Sequence, residues 1–173
     1  MKDRVCLHLT ALHRHHGAHE FGKLCQKLLA IAYRMAGFAH VVERGVQGVD
    51  VDAALDDRVK YATEVKTTET NYVHFQQKDV EGLSRRGTDG YQPVLAVLRL
   101  APLSEWYLVD ARRLAARRLH IPSLRPSRLL DLEGRIVPMF DEAVQEHFDG
   151  ALDSSQSYLD EVLRRLGVEV RLT

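Results

Sequence analysis

The chain has 173 residues, the size of one domain with room for an appendage, and 45% of them are apolar, enough to bury a core. Its 24 Lys and Arg balance 24 Asp and Glu, so no whole-molecule field recruits an anionic partner. No uncharged apolar stretch approaches about 18 residues, and no secretory h-region opens the chain. Cys6 and Cys25 are too few for a disulfide framework, so the expectation is a cytoplasmic protein with reduced thiols and no membrane span.

Residues 3–16 predict a short helix with Val5, Leu9 and Leu12 on one face. Residues 18–36 predict a firmer one. Phe21, Leu24, Leu28, Ile31 and Met35 recur at helical spacing, and Gly37 suits the C′ position. Three strand-like runs follow, "AHVVERGV" (39–46), "VDVDAALD" (49–56 with the turn at Asp56-Asp57) and "KYATEVKTT" (60–68). Residues 74–87 read as a helix. The apolar run 92–101 reads as a central strand and 104–111 as another. Residues 111–128 hold six Arg and no acid, either a local phosphate-contacting stripe or a solvated face. Residues 122–128 carry two prolines and read as a linker, and 138–150 and 154–166 as terminal helices stopped at Gly167. The order predicts an α/β fold, a mixed sheet with helices packed on it.

The strand-like region carries charge where a core wants none. Alternation puts Asp50 and Asp52 on one face, and Glu64 and Lys66 on one face about 6.5 Å apart along the strand. The acids of the first strand share a side with Glu64 only in some registers, among them the one with Asp50 opposite Glu64. That register needs an odd loop, such as Asp56, Asp57 and Arg58, and the expectation is an odd loop or a bulge. Two carboxylates would then meet one ammonium. A hard divalent cation such as Mg²⁺ or Mn²⁺ relieves the repulsion between the acids. Bound water becomes a better nucleophile, and Lys66 can orient it or stabilise phosphoryl charge, which is chemistry for cutting a phosphodiester.

The spacing "GVDVDA…EVK", with a helix before it and a helix and an apolar strand after it, resembles the PD-(D/E)xK nuclease superfamily. Within it, the segments "HEFGKLCQKLLAIAYRMAGF", "EVKTT" and "QPVLAVLRL…EWYLV" are similar to the archaeal-type Holliday junction resolvases and Mrr-like restriction nucleases. The resemblance covers roughly residues 17–110. It implies a restriction-endonuclease-like sheet with residues 1–16 as an amino-terminal extension, 17–121 as the nuclease-like core and 122–173 as a mostly helical extension. It further implies Asp50 and Glu64 as metal ligands, Lys66 as the lysine acting on the nucleophile, Glu20 as a supporting acid, and Val51 as at most a carbonyl ligand. Val49 stands where the pattern usually has Pro. Asp52 is an extra acid, a second ligand or a rival for the motif position. Gln77 and Lys78, beside Gln76, sit where such nucleases place polar substrate contacts.

Arg85, Arg86, Arg112 and Arg113 are candidate phosphate contacts. The His-dense stretch 13–19 does not match zinc-enzyme spacing, and Trp106 reads as core. The expected function is a metal-dependent DNA endonuclease favouring branched DNA. The alternatives are a restriction or repair nuclease recruited by a partner and an inactive DNA-binding module. Symmetric cutting implies a homodimer, with residues 92–110 or the carboxy-terminal helices as the interface. The ten acids after residue 128 offer a docking element for a protein partner.

Overall fold

The computed structural model describes residues 2–45 and 48–171. Its elements are α1 (Lys2–Met35), β1 (His40–Arg44), β2 (Val51–Ala54), β3 (Lys60–Thr68), β4 (Tyr72–Phe75), α2 (Gln77–Thr88), β5 (Gln92–Arg99), β6 (Glu105–Asp110), β7 (Arg117–His120), a 3₁₀ segment (Ile121–Ser127), α3 (Leu130–Arg165) and β8 (Glu169–Arg171). Six strands form one mixed sheet in the order β6-β5-β3-β2-β1-β8, and β4 and β7 form a separate two-stranded ribbon. The expected mixed sheet flanked by helices, with a carboxy-terminal helix, is the architecture observed.

Alternation along the strands divides the interior into two cores. Val51, Ala53, Val65, Val94, Ala96 and Leu98 face α1 and α3, where Leu24, Leu28, Ile31, Phe140 and Leu159 complete the packing. Val49, Ala62, Leu95, Val97 and Val109 face α2 and the ribbon, against Leu83, Val73, Phe75 and Leu119. Trp106 packs edge-on against Phe140 in the first core, as expected for a core residue. Among the described residues no helix is long and apolar enough to cross a membrane.

Several boundaries differ from the sequence expectation. The two predicted amino-terminal helices are one element broken at Gly17, whose φ of 80° is non-helical. The two predicted terminal helices are likewise one element, broken at Ser155. Gly37 and Gly167 both close their helices with positive φ, and the following N–H in each case reaches back five residues (Phe38 to Tyr33, Val168 to Leu163). Val46, the end of the first predicted strand run, lies outside the described residues. Residues 74 and 75 belong to β4 rather than to the following helix, and the expected linker is preceded by β7 and coils as a 3₁₀ segment. Of the region 92–110, β5 lies between β3 and β6, and at the outer edge of β6 Leu108 O accepts the Leu129 N–H while the Leu108 N–H donates to Glu133.

The β2–β3 hairpin has the odd loop. Leu55 N–H donates to Val59 O across Asp56, Asp57 and Arg58, and Asp56 Oδ1 accepts from the N–H groups of Arg58 and Val59. Val51 pairs with Thr63 and Ala54 with Lys60, the register that carries Asp50 opposite Glu64.

α2 approaches this hairpin unusually closely. A Cβ on Gly82 would lie 2.6 Å from Gly48 Cα, and Gly48 itself has a φ of 94°. Gly82→Ala is therefore expected to lower the unfolding free energy by ~1–3 kcal/mol. Gly134→Ala, in open space on α3, should raise it by ~0.5–1 kcal/mol. Urea unfolding midpoints of the two variants check both signs.

Candidate active site

The hairpin register decides which charges meet. Asp50, Glu64, Val65, Lys66 and Thr67 line one cavity of about 360 Å³. Its other wall comes from α1 (Ala18, His19, Gly22, Lys23, Gln26), and α2 contributes Lys78 and Asp79. The α1 residues His19, Gly22, Lys23 and Gln26 lie at helical spacing on the face away from Leu24, Leu28 and Ile31.

Lys66 is the centre of the charge arrangement. Its Nζ lies 2.6 Å from Glu64 Oε1 and 2.9 Å from Asp79 Oδ2. Asp79 sits in the first turn of α2, is fully buried, and also accepts the backbone N–H of Gln76 at 2.8 Å. Asp50 Oδ2 accepts the N–H of Val65 at 2.7 Å, which ties the end of β2 to the strand that carries Glu64.

Burial raises the Asp50 carboxyl to about 6, against the Val65 hydrogen bond and the charges of Lys23 and Lys66. Burial raises Glu64 further, to about 8, and the charge of Asp50 adds to it while Lys66 opposes. Burial works to lower Lys66, but Glu64 and Asp79 outweigh it and hold the ammonium above the ordinary lysine range. Burial and the neighbouring Asp50 thus press Glu64 toward its neutral form, and the ammonium of Lys66 opposes them.

The donor set fits a hard divalent cation. Asp50 and Glu64 offer carboxylate oxygens to one cavity, and Glu64 Oε2 and Asp79 Oδ1 are buried with no hydrogen-bond partner. Among the described residues no three His, Cys, Asp or Glu side chains are gathered tightly enough to hold an ion by themselves. Mg²⁺ commonly takes only one or two carboxylates and fills its octahedron with water or phosphate oxygen, so two acids suffice.

Other expected residues lie elsewhere. Glu20 is not on the cavity wall. Its carboxylate accepts from Ser155 Oγ and, at 2.9 Å, from Gln156 Nε2 of α3. One helical position, about 100°, separates it from His19. Asp52 is buried between two arginines, Arg44 at 2.6 Å and Arg86 at 2.9 Å, which makes it a structural ion pair rather than a free ligand. Arg86 is turned inward onto Asp52 and lies over the Tyr91 ring, which takes it out of reach of phosphate, whereas Arg112 is exposed and paired with Asp110. Arg85 and Arg113 are exposed. Val51 does not line the cavity, whereas Val65, which shares the α1–α3 core with it, does. Gln77 is exposed and donates to Glu81, whereas Lys78 reaches the cavity wall. Of the His-dense stretch, His19 lines the cavity, His16 bonds Ala151 O and His13 faces Glu69.

Asp79, Lys23 and Gln26 join the site without having been expected there. Asp79 reads in sequence as an ordinary acid near a helix start, three residues after Gln76. Lys23 and Gln26 were legible as polar positions at helical spacing opposite an apolar stripe.

No protein-family model and no curated protein matches the chain. Among solved structures, the fold is similar to that of Hjc from Archaeoglobus fulgidus, described as a Holliday junction resolvase from an archaeal hyperthermophile. The two chains are 18% identical with a TM-score of 0.53, and the match covers 66% of this chain and 96% of that one. At this identity the likeness is one of fold.

Asp50 and Glu64 bind protons more tightly folded than unfolded. Their stabilising protonation is complete near the ordinary values of 3.8 and 4.5 and is lost as pH rises through about 6 and about 8. In EDTA, the melting temperature should fall from about pH 5 to about pH 9. Glu64→Gln should flatten the upper part of that slope, as calorimetry across the range would read directly.

Proposed function

We propose that the chain is a divalent-metal-dependent DNA endonuclease, with Mg²⁺ or Mn²⁺ as the ion and branched DNA as the favoured substrate. The observation that carries this reading is the convergence of Asp50, Glu64 and Lys66 on one cavity, with a buried oxygen of Glu64 left without a partner. The similarity of fold to a Holliday junction resolvase adds support.

When bound, the cation would act as a Lewis acid on a phosphoryl oxygen and lower the pKa of a coordinated water. Asp50 would hold it through the oxygen not engaged by Val65, and Glu64 through Oε2. An ammonium has three donors. Lys66 directs two at Glu64 and Asp79, leaving one for the attacking water or a non-bridging phosphate oxygen. Asp79 thereby positions Lys66. In the hydrolysis, the water oxygen joins phosphorus, the 3′ oxygen departs, and that oxygen takes up a proton. Lys23 and Lys78 on opposite walls would meet the flanking phosphates. Cutting a junction symmetrically takes two such sites, so the reading implies a twofold dimer, and the acidic region after residue 128 remains the proposed docking element for a protein partner.

The test is cleavage of a four-way junction, a linear duplex and a single strand in Mg²⁺ or EDTA. Metal-dependent cutting confined to the junction is expected, with Lys66→Ala and Glu64→Gln each reducing it by at least ~10²-fold. Asp79→Asn should cost about 10- to 100-fold, as a group acting through Lys66. Cutting of duplex as well would shift the substrate to that of a restriction or repair nuclease. Binding without cutting in any metal would sink the enzyme reading in favour of a DNA-binding module.

A further inference from the structure

The β4–β7 ribbon is built with one dry face and one wet face. Tyr72 pairs with His120, Val73 with Leu119, His74 with Arg118 and Phe75 with Arg117. Val73, Phe75 and Leu119 are buried on the sheet side. Alternation therefore turns Tyr72, His74, Arg118 and His120 outward, and all four are exposed. On that face the Arg118 guanidinium lies 4.0 Å from the Tyr72 ring centroid, and the His120 ring leans against Tyr72 at 5.0 Å. Three planar groups thus form one tier at the surface.

The segment that carries β7 is one-sided in charge. Residues 111–128 contain no acid, and among the described residues Arg113, Arg117, Arg118 and Arg125 form no ion pair. The other two arginines of the segment are neutralised, Arg112 by Asp110 and Arg128 by Glu133. Four uncompensated guanidiniums on a neutral protein are a local match for a polyanion.

The ribbon also adjoins the cavity through the chain itself. The backbone leaves the cavity wall at Thr67, runs through β4, and returns at Lys78. Tyr72 is five residues from Thr67, so the two Cα atoms lie at most ~18 Å apart. At ~3.4 Å per nucleotide along a stacked strand, a span of ~18 Å corresponds to about five nucleotides.

We infer that the outward face of the β4–β7 ribbon binds an unpaired stretch of nucleic acid next to the cavity, a base extending the Tyr72–Arg118–His120 tier and Arg125, beyond the end of β7, meeting a phosphate. A paired duplex keeps its base faces stacked on one another, so only an unpaired strand can use the tier. The inference rests on the nuclease reading and narrows its substrate to branched or forked DNA with bases unpaired beside the branch.

The test measures binding in EDTA by fluorescence anisotropy, with a forked duplex carrying unpaired arms, a single strand and a blunt duplex as probes. Tyr72→Ala and Arg118→Ala should weaken fork and single-strand binding by roughly 5- to 150-fold and leave the blunt duplex nearly unchanged. Tyr72→Phe, which keeps the ring, should bind as the wild type does. Both positions are exposed, and circular dichroism of each variant checks the fold. Unchanged fork affinity in both alanine variants overturns the inference, and so does an equal loss on blunt duplex. Cleavage of the same fork in Mg²⁺ by wild type and Lys66→Ala separates the two readings. Ribbon-dependent binding without cleavage keeps the ribbon and sinks the nuclease, whereas Lys66-dependent cleavage with ribbon-independent binding does the reverse.

Discussion

The ammonium of Lys66 holds together a site that would otherwise push itself apart. Glu64 and Asp79 are both buried, come from different elements, and approach the same nitrogen at 2.6 and 2.9 Å. A buried pair of this kind is costly to break, because removing one member leaves the other charged and unsolvated. β3 supplies Glu64 and Lys66 together, since residues two apart share a face. α2 must then deliver Asp79 to the same point, and the glycine-on-glycine contact of Gly48 and Gly82 sets how near it can come. The placement of α2, and with it the second core, follows from that requirement.

Asp50 and Asp52 are two residues apart and have opposite fates. Asp52 is saturated by Arg44 and Arg86, which join β1, β2 and α2. Asp50 accepts a single backbone N–H and otherwise faces the cavity. A carboxylate already held by two guanidiniums has little left to offer a cation, whereas one held by a single amide retains an oxygen. The hairpin thus divides its acids between holding the fold and furnishing the cavity. Farther along the same wall, Gln26 donates to Glu43 and Lys27 bridges Glu43 and Asp160, which fixes the α1 side of the cavity against β1 and α3.

Much of this was legible in the order of residues. Alternation in "VDVDA" and "ATEVK" was enough to give the strands, their facing and the odd loop, because period two allows few registers that keep charge out of the core. Short elements were not legible. β4, β7 and β8 have four, four and three residues, and their outward positions are Tyr, His, Arg and Glu, which look like loop. β8 exists because it pairs in parallel with β1, a partner more than a hundred residues away that no local pattern announces. Glu20 was legible as a helical acid but not as one turned toward α3, since its partners Ser155 and Gln156 lie far along the chain. Asp79 was hidden for the opposite reason: its local role in the first turn of α2 is sufficient explanation of it until Lys66 is seen above it.

The breaks in the two long helices bear on how this protein can change over evolutionary time. α1 interrupts at Gly17 and α3 at Ser155, and the two interruptions lie at the same level, bridged by His16 to Ala151 O and by Glu20 to Ser155 and Gln156. A one-residue deletion in either rod rotates everything beyond it by about 100° and draws it in by about 1.5 Å. In α1, such a deletion would turn Phe21 and Leu24 out of the core and swing His19 and Lys23 off the cavity wall together. Insertions and deletions should therefore accumulate at the Asp56–Arg58 loop and in residues 112–116, outside this layer, and in the helix pair change should come by substitution alone.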